Sequence, residues 1–145
     1  MRFNYTEIPN SQDPAKQILR PYLVVRLMHD DKHKDLVALI DSGADISLAH
    51  GDIARLLGLS DLGTGKPWQY RGSVNSQVGE ARIHRLHLVI PRLSSLDLDI
   101  AFTDDVPPGT FLLGQRDFFE SYQVRFDLSR RIFEILEVPR VGVVH

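Results

Sequence analysis

Alternation of apolar and polar residues along the chain predicts a domain built mostly from β-strands. The clearest alternation runs through 96–102, where it places Leu96, Leu98, Ile100 and Phe102 on one face of a strand. Similar patterns predict further strands at 22–28, 36–40, 82–90, 124–126 and 132–136. Short helices are predicted only at 52–57, with Asp52 as N-cap, and at 116–121. We therefore expect an all-β fold with one or two short helices.

The segment 36–40, Leu-Val-Ala-Leu-Ile, is apolar at both alternating positions, which is typical of a strand buried on both faces. Together with 22–28 and the charged turn between them, it predicts a β-hairpin. We expect the folded domain to span 19–138. An N-terminal arm at 1–18, flexible or loosely docked, precedes it, and a C-terminal tail at 139–145 follows it.

The composition narrows the classes of function. The chain has 145 residues, which suits one domain, and its 17 basic and 19 acidic residues give a net charge of −2. It therefore lacks the concentrated positive charge that nucleic-acid binding needs. The absence of cysteine excludes disulfides and thiol catalysis. Because no segment is typical of a signal peptide or a membrane span, we expect a cytoplasmic protein with no nucleic-acid or membrane partner.

A carboxylate follows the strand at 36–40 directly, in the run Asp41-Ser42-Gly43-Ala44-Asp45. An ionised carboxylate beside a buried strand is costly unless it is hydrogen-bonded or paired, which favours a functional role for Asp41. Gly43 allows backbone to approach this carboxylate closely, and Ser42 offers a hydroxyl group. The alternative is an Asx turn in which Asp41 only caps the backbone.

A second motif, Leu112-Leu113-Gly114, lies directly before the predicted helix at 116–121. An apolar strand ending in Asp-Ser-Gly-Ala, together with a downstream apolar-apolar-glycine, resembles the retropepsin-like aspartic proteases. The run 112–119 resembles the bacterial single-domain members, and the resemblance covers about 22–136. It implies a closed β-barrel or sandwich with short helices and a flap hairpin, acting as a homodimer.

The resemblance also implies roles for individual residues. Asp41 would be catalytic, Ser42, Gly43 and Ala44 would support the active site, and Asp45 would bind substrate backbone. The flap would lie within 68–83 and contribute substrate-binding residues at its tip, namely Gly72, Ser73 and Val74. An ordinary exposed hairpin accounts for the composition of this tip equally well.

In this family two aspartates share one proton, because two adjacent carboxylates do not both ionise readily. One aspartate then activates a water molecule as general base. The only other Asp-x-Gly of this chain, 61–63, carries leucine instead of a hydroxyl residue and follows a predicted helix, so we interpret it as a loop. We therefore expect a homodimer in which each copy supplies Asp41.

The second motif departs from the viral pattern at one position. In viral relatives an arginine follows the motif's glycine directly and holds the acidic residue that matches Asp45. Here Gln115 follows the glycine and Arg116 comes one residue later, so a contact between Arg116 and Asp45 stays an open question.

The leading hypothesis is an aspartic endopeptidase that hydrolyses polypeptides between two Asp41 carboxylates, without a cofactor or a metal ion. The alternative is a retropepsin-like dimerisation or peptide-binding module without significant turnover. A metal-dependent hydrolase would need a cluster of histidine and acidic residues that the sequence does not reveal. His84 and His87 do not form such a pair, because residues three apart on a strand point to opposite faces.

Overall fold

The computed structural model describes residues 1–71 and 78–139, with side chains at 1–70 and 79–139. The described strands are β1 (Arg2–Asn4), β2 (Thr6–Ile8), β3 (Ile18–Arg20), β4 (Tyr22–His29), β5 (Lys32–Ile40), β6 (Ser47–His50), β7 (Lys66–Arg71), β8 (Val78–Val89), β9 (Leu96–Thr103), β10 (Phe111–Leu113), β11 (Tyr122–Asp127) and β12 (Ile132–Glu137). Helical structure in these ranges comprises α1 (Gly51–Leu56), single 3₁₀ turns at Leu62–Thr64 and Leu128–Arg130, and a kinked segment at Gln115–Phe119. The prediction of a mostly-β domain with short helices is confirmed.

The central feature is a closed barrel. Its strands run in the order β4-β5-β10-β6-β9-β8, and pairing between β4 and β8 closes the ring. Inward-facing side chains fill it, and Leu27, Leu88, Leu98 and Ile100 are fully buried there. β7 lies outside this ring and pairs with the first half of β8. Because closure pairs the edges of the sheet, the barrel forms a rigid frame for the loops at its ends.

The topology brings the two sequence motifs together. β10 lies between β5 and β6, parallel to β5, with Leu113 opposite Ile40, and antiparallel to β6. The loop 41–46 joins β5 to β6 and must therefore cross the end of β10. We call it the crossing loop. Parallel strands end at the same edge of a sheet, so the residues that follow Ile40 and Leu113 meet under this crossing.

β5 is buried on only one face, contrary to the sequence expectation. Ala38 and Ile40 are buried, whereas Val37 is 53% exposed. Val37 pairs with Val24 of β4, which is 59% exposed, so the outer face of the hairpin is open at this pair. Apolar residues at both alternating positions therefore do not mean burial on both faces here.

The two predicted helices also differ in detail from the structure. The N-cap of α1 is His50, whose Nδ1 accepts a hydrogen bond from the Asp52 backbone amide, so Asp52 lies inside the helix. The predicted helix at 116–121 is instead the kinked segment Gln115–Phe119. Within it Arg116 is extended, and Asp117 has a φ of 66°.

The N-terminal strand pairs with the C-terminal part of the domain. β1 is antiparallel to β12, and the ring of Phe3 stacks on that of Phe133 with centroids 5.3 Å apart. The division of the chain into an arm, a domain and a tail stays a prediction, and residues 140–145 of the tail lie outside the described residues. Within the described ranges, the structure contains no helix with the length and apolar character to cross a membrane.

Candidate active site

Asp41 lies at the end of β5 in a tight turn. Its carboxylate Oδ1 accepts a hydrogen bond from the Gly43 amide at 2.9 Å, and its carbonyl accepts one from the Ala44 amide at 3.2 Å. A Cβ on Gly43 would lie 3.2 Å from Oδ1, so this glycine allows the close approach expected from the sequence. The turn is therefore an Asx turn, and its local geometry suits both hypotheses for Asp41.

Leu113 of the second motif and Gln115, just after the motif, are hydrogen-bonded to this turn. The Asp41 amide donates to the Leu113 carbonyl at 2.9 Å, and the Gln115 amide donates to the Ala44 carbonyl at 2.8 Å. The Gln115 side chain adds a further contact, because its Nε2 donates to the Ser42 carbonyl at 2.7 Å. These bonds fix both ends and the middle of the turn against the residues that follow β10.

Gly114 lies directly against the backbone of the crossing loop. A Cβ at this position would lie 2.6 Å from the Ile46 carbonyl carbon and oxygen and 2.7 Å from the Ala44 carbonyl oxygen. The Gly114 amide donates to the hydroxyl of the fully buried Ser47 at 3.1 Å. Only glycine therefore allows the crossing loop to pack this closely on the end of β10.

The structure answers the question of Arg116 and Asp45. The Arg116 amide donates to the Asp45 carbonyl at 3.0 Å, but the side chain does not reach the Asp45 carboxylate. The guanidinium instead lies 4.9 Å from the centre of the Trp68 ring, with Nη1 3.7 Å from an Asp99 carboxylate oxygen. Among the described side chains Asp45 forms no ion pair.

A cavity of about 650 Å³ opens beside Asp41. The crossing loop and Leu112 form one side of it, and Trp68 and Tyr70 of β7 form another. Asp41, which the sequence predicts to be catalytic, therefore lies at the wall of a space large enough for substrate side chains. The sequence analysis named Gln115 only as a departure from the viral pattern, not as a support of the turn. It did not single out Trp68 and Tyr70 as cavity-lining residues, although Trp68 at the start of the predicted flap was a usable signal.

The structure unites most of the predicted site residues. Asp41, Ser42, Gly43, Ala44 and Asp45 form the crossing loop, and the second motif lies directly under it. Their roles stay predictions. The arms of the predicted flap are β7 and β8, while the residues expected at its tip lie outside the described residues, namely Gly72, Ser73 and Val74.

A second cavity, of about 680 Å³, lies away from these motifs, between the turn at Ser94 and the end of β12. The Tyr122 hydroxyl donates to the Ser94 carbonyl, and the Glu137 carboxylate accepts from the Ser94 amide. That amide lowers the pKa of Glu137 by stabilising its charged form. These polar groups already satisfy one another, so we locate the candidate active site in the cavity that contains Asp41.

One cluster of possible metal ligands escaped the sequence analysis. His50, Asp52 and Asp104 bring ligand atoms within 4.8 Å of one another. The Arg55 guanidinium already donates to both carboxylates, and its hydrogen bonds lower the pKa of Asp104. His50 in turn caps α1. The described contacts therefore account for the cluster as a link between α1 and the end of β9.

No protein-family model and no curated protein matches the chain. Solved structures do. A retropepsin-like aspartic protease from Rickettsia conorii has a TM-score of 0.58 at 19% identity, covering 92% of this chain and 99% of that one. The retroviral protease-like domain of Ddi1 from Leishmania major has a TM-score of 0.45 at 16% identity, covering 84% and 98%. EIAV protease, complexed with the inhibitor HBY-793, has a TM-score of 0.42 at 22% identity, covering 66% and 82%.

The Rickettsia conorii structure is similar over nearly the whole of both chains. The chain therefore has a retropepsin-like fold, and the resemblance inferred from the two motifs is confirmed at the level of the fold. At this identity the similarity concerns the fold alone.

Proposed function

We propose that this protein is an aspartic endopeptidase that hydrolyses peptide bonds in extended polypeptides as a homodimer. The observation that carries the proposal is the position of Asp41. Asp41 lines an open cavity, while its turn is hydrogen-bonded to Leu113 and Gln115 beneath it. A catalytic group needs this combination, because it must be accessible to substrate and held in one geometry.

The chemistry follows from a pair of such carboxylates sharing one proton. The ionised Asp41 takes a proton from water, whose oxygen attacks the peptide carbonyl carbon. The protonated Asp41 of the second copy donates its proton to the carbonyl oxygen. Collapse of the tetrahedral intermediate breaks the C–N bond, and the amine leaves with the proton first taken from water. One hydroxyl proton of the intermediate returns to the Asp41 of the second copy, which restores the shared proton. Asp45 and Gly43 would hold the extended substrate backbone.

The homodimer follows from the number of suitable aspartates. The other Asp-x-Gly begins at Asp61, which caps an exposed 3₁₀ turn and lines no part of the cavity. A second Asp41 therefore has to come from a second copy of the chain. Sedimentation velocity of the active protein tests this directly, and full activity of a strict monomer would contradict it.

The direct test compares Asp41→Asn with Asp61→Asn. Asparagine keeps an oxygen that accepts the glycine amide in each turn, so either variant preserves the local hydrogen bond. With an unfolded protein as substrate between about pH 3 and 7, we expect Asp41→Asn to lose activity by about 10³-fold or more. Asp61→Asn should retain wild-type activity. Equal activity of Asp41→Asn and wild type would overturn the proposal.

Mixing subunits separates a shared site from independent sites. If both copies contribute Asp41, an equal, randomly exchanged mixture of wild type and Asp41→Asn should retain about one quarter of the activity. Independent sites would retain about one half. The same mixture with Asp61→Asn should lose nothing.

A second candidate function is a peptide-binding module without significant turnover. The observation in its favour is the Arg116 side chain, which lies on Trp68 rather than on Asp45. In that case wild type and Asp41→Asn would bind extended peptides equally, and neither would cleave them.

A further inference from the structure

The loop 104–110, which joins β9 to β10, contributes to the lining of the cavity beside Asp41. Val106, Pro107 and Thr110 all line that space. Within the loop, the Thr110 amide and hydroxyl both donate to the Pro107 carbonyl, so its second half is a compact turn. We call this segment the cavity loop. The shape of the cavity therefore depends on where the cavity loop lies.

Both ends of the cavity loop are hydrogen-bonded to one short stretch of chain, the end of β6 and the helix α1. At the end of the loop, the Thr110 carbonyl accepts a hydrogen bond from the His50 amide at 2.9 Å. At its start, the Asp104 carboxylate accepts two from the Arg55 guanidinium, at 3.0 Å to Oδ1 and 2.6 Å to Oδ2. The segment 50–55 therefore holds both ends of the loop.

The pair between Arg55 and Asp104 has a more defined geometry than an ordinary ion pair at the surface. Arg55 also donates to the Asp52 carboxylate at 2.8 Å, so it lies between two carboxylates. A Cβ on Gly51 would overlap Oδ1 of Asp104, so that carboxylate packs directly against the backbone of α1. Most exposed ion pairs add little to stability, but a bidentate pair within a network fixes the relative position of its two elements.

The pair also keeps its charges in acidic solution. The hydrogen bonds from Arg55 hold the pKa of Asp104 below its usual range, because they stabilise the ionised carboxylate. Asp104 therefore stays ionised to lower pH than an isolated aspartate does. This suits a site in which two carboxylates share one proton, since such a pair holds its proton only at acidic to neutral pH.

We propose that Arg55 is a positioning residue, which through Asp104 holds the cavity loop where the site binds extended polypeptide. Arg55 does not line the cavity, so we expect it to affect binding rather than the chemical step. The inference rests on the proposed function, because that function assigns an extended polypeptide to this cavity. Asp52 also bonds to Arg55 but lies on α1 itself, so it should not position the loop.

The first experiment follows the cavity loop itself and needs no substrate. Amide hydrogen exchange, measured by NMR on the full-length protein, compares wild type with Arg55→Gln. The His50 amide donates to the last residue of the loop, and the Thr110 amide donates within it. We expect both amides to exchange at least about 10-fold faster in Arg55→Gln, because their acceptors are then held less firmly.

Two control variants separate this effect from the general loss of an ion pair. Arg26 forms a bidentate pair with the exposed Asp35, at 2.7 Å and 3.3 Å, and neither residue lines the cavity. Arg26→Gln therefore removes a similar pair at a distant place. Asp52→Asn removes the charge of the other partner of Arg55 and leaves the pair with Asp104. Both variants should keep wild-type exchange rates in the cavity loop.

The second experiment measures cleavage and binding of β-casein, an unfolded protein. In Arg55→Gln we expect KM to rise about 3- to 10-fold with kcat changed less than about 2-fold, since Leu113 and Gln115 hold the Asp41 turn separately. Binding of Asp41→Asn to immobilised β-casein should weaken by the same factor when Arg55→Gln is added. Arg55→Lys should restore part of the affinity, because it keeps the cation without the bidentate geometry. Arg26→Gln and Asp52→Asn should leave KM unchanged.

A double-mutant cycle tests the route through Asp104. Asp104→Ala alone should raise KM about as much as Arg55→Gln does. The double variant should raise KM no further, because both substitutions break the same pair. Additive effects would show that Arg55 acts by another route and would overturn the inference.

Wild-type exchange rates in Arg55→Gln would also overturn the inference, and so would faster exchange with unchanged KM and affinity. An equal rise in KM in either control variant would overturn it too, because the effect would not be specific to the cavity loop. The proposed function is judged separately, by cleavage in the wild type. Weaker binding by the Arg55 variant without any cleavage by the wild type would contradict the endopeptidase alone. A wild type that neither binds nor cleaves β-casein would contradict both.

Discussion

The two Asp-x-Gly turns of this chain are locally almost the same. In 41–43 the Asp41 carboxylate accepts the Gly43 amide at 2.9 Å, and in 61–63 the Asp61 carboxylate accepts the Gly63 amide at 3.0 Å. A Cβ on either glycine would lie at nearly the same distance from the carboxylate, 3.2 Å and 3.1 Å. The tripeptide alone therefore forms an Asx turn and nothing more specific.

The surroundings of the two turns differ. The turn at Asp41 crosses the end of β10, and Leu113 and Gln115 hold it by hydrogen bonds. The turn at Asp61 begins an exposed 3₁₀ turn and lines no part of the candidate site. The strands next to a turn therefore decide whether that turn belongs to a candidate active site, because they supply the hydrogen bonds that hold it and the cavity beside it.

Among the substitutions that test this comparison, a larger residue at Gly114, under the first turn, should have the largest effect on stability and activity. Gly114→Ala places a methyl group 2.6 Å from Ile46 backbone, which cannot move without opening the crossing loop. We expect a loss of about 3 kcal/mol of unfolding free energy and more than about 100-fold of activity. Chemical denaturation and peptide cleavage measure the two losses.

Gly109→Ala is the control for that substitution. Its Cβ would meet nothing within 4 Å, and its cost comes only from a φ of +84°. We expect a loss of about 1 kcal/mol with activity retained. Equal effects of the two substitutions would show that the crossing loop does not depend on close packing against Gly114.

Adding a methyl group within each turn compares them directly. Gly43→Ala and Gly63→Ala create nearly equal contacts with their own carboxylates. We expect similar small changes in stability, but Gly43→Ala should lower kcat/KM by about 10- to 100-fold, because it displaces the carboxylate proposed to be catalytic. Gly63→Ala should leave kcat/KM unchanged. Parallel steady-state assays of both variants decide the matter.

Removing the hydrogen bond from the Gln115 side chain to the Ser42 carbonyl should have a smaller effect on activity. Gln115→Leu loses the donor to the Ser42 carbonyl but keeps the backbone bond to Ala44. We expect kcat to fall by about 10-fold, with KM and the thermal midpoint little changed because the side chain is exposed. Gln123→Leu, at an exposed position of β11, serves as the control. Unchanged kcat in Gln115→Leu would mean that the backbone bonds alone hold the turn.

Removing the carboxylate of Asp61, in the other turn, should have the smallest effect on stability and activity. Asp61→Ala loses the cap of its 3₁₀ turn, and we expect a loss of about 0.5 to 1 kcal/mol of stability without loss of activity. Thermal unfolding and the same cleavage assay provide the measurements. A large loss of activity would mean that the two turns are functionally equivalent, and the comparison would fail.

Several structural details depended on contacts that a linear pattern does not contain. The helix predicted at 116–121 is kinked because the amides of Gln115 and Arg116 donate to carbonyls of the crossing loop. Asp117 keeps its positive φ while its carboxylate accepts the Asp99 amide at 2.7 Å. The partners of these contacts, the crossing loop and Asp99 of β9, come from other parts of the chain. Local helix propensity was therefore overruled by long-range hydrogen bonds.

The sequence by itself determined the mostly-β class, the strand at 96–102 and the identity of Asp41 and Gly114 as unusual positions. Alternation and glycine placement are local properties, and local sterics act on them directly. Only the tertiary structure decided that Gln115 holds the Asp41 turn, that Arg116 lies on Trp68, and that Asp61 remains a cap. Those outcomes depend on which strands become neighbours, and closure of the barrel decides this.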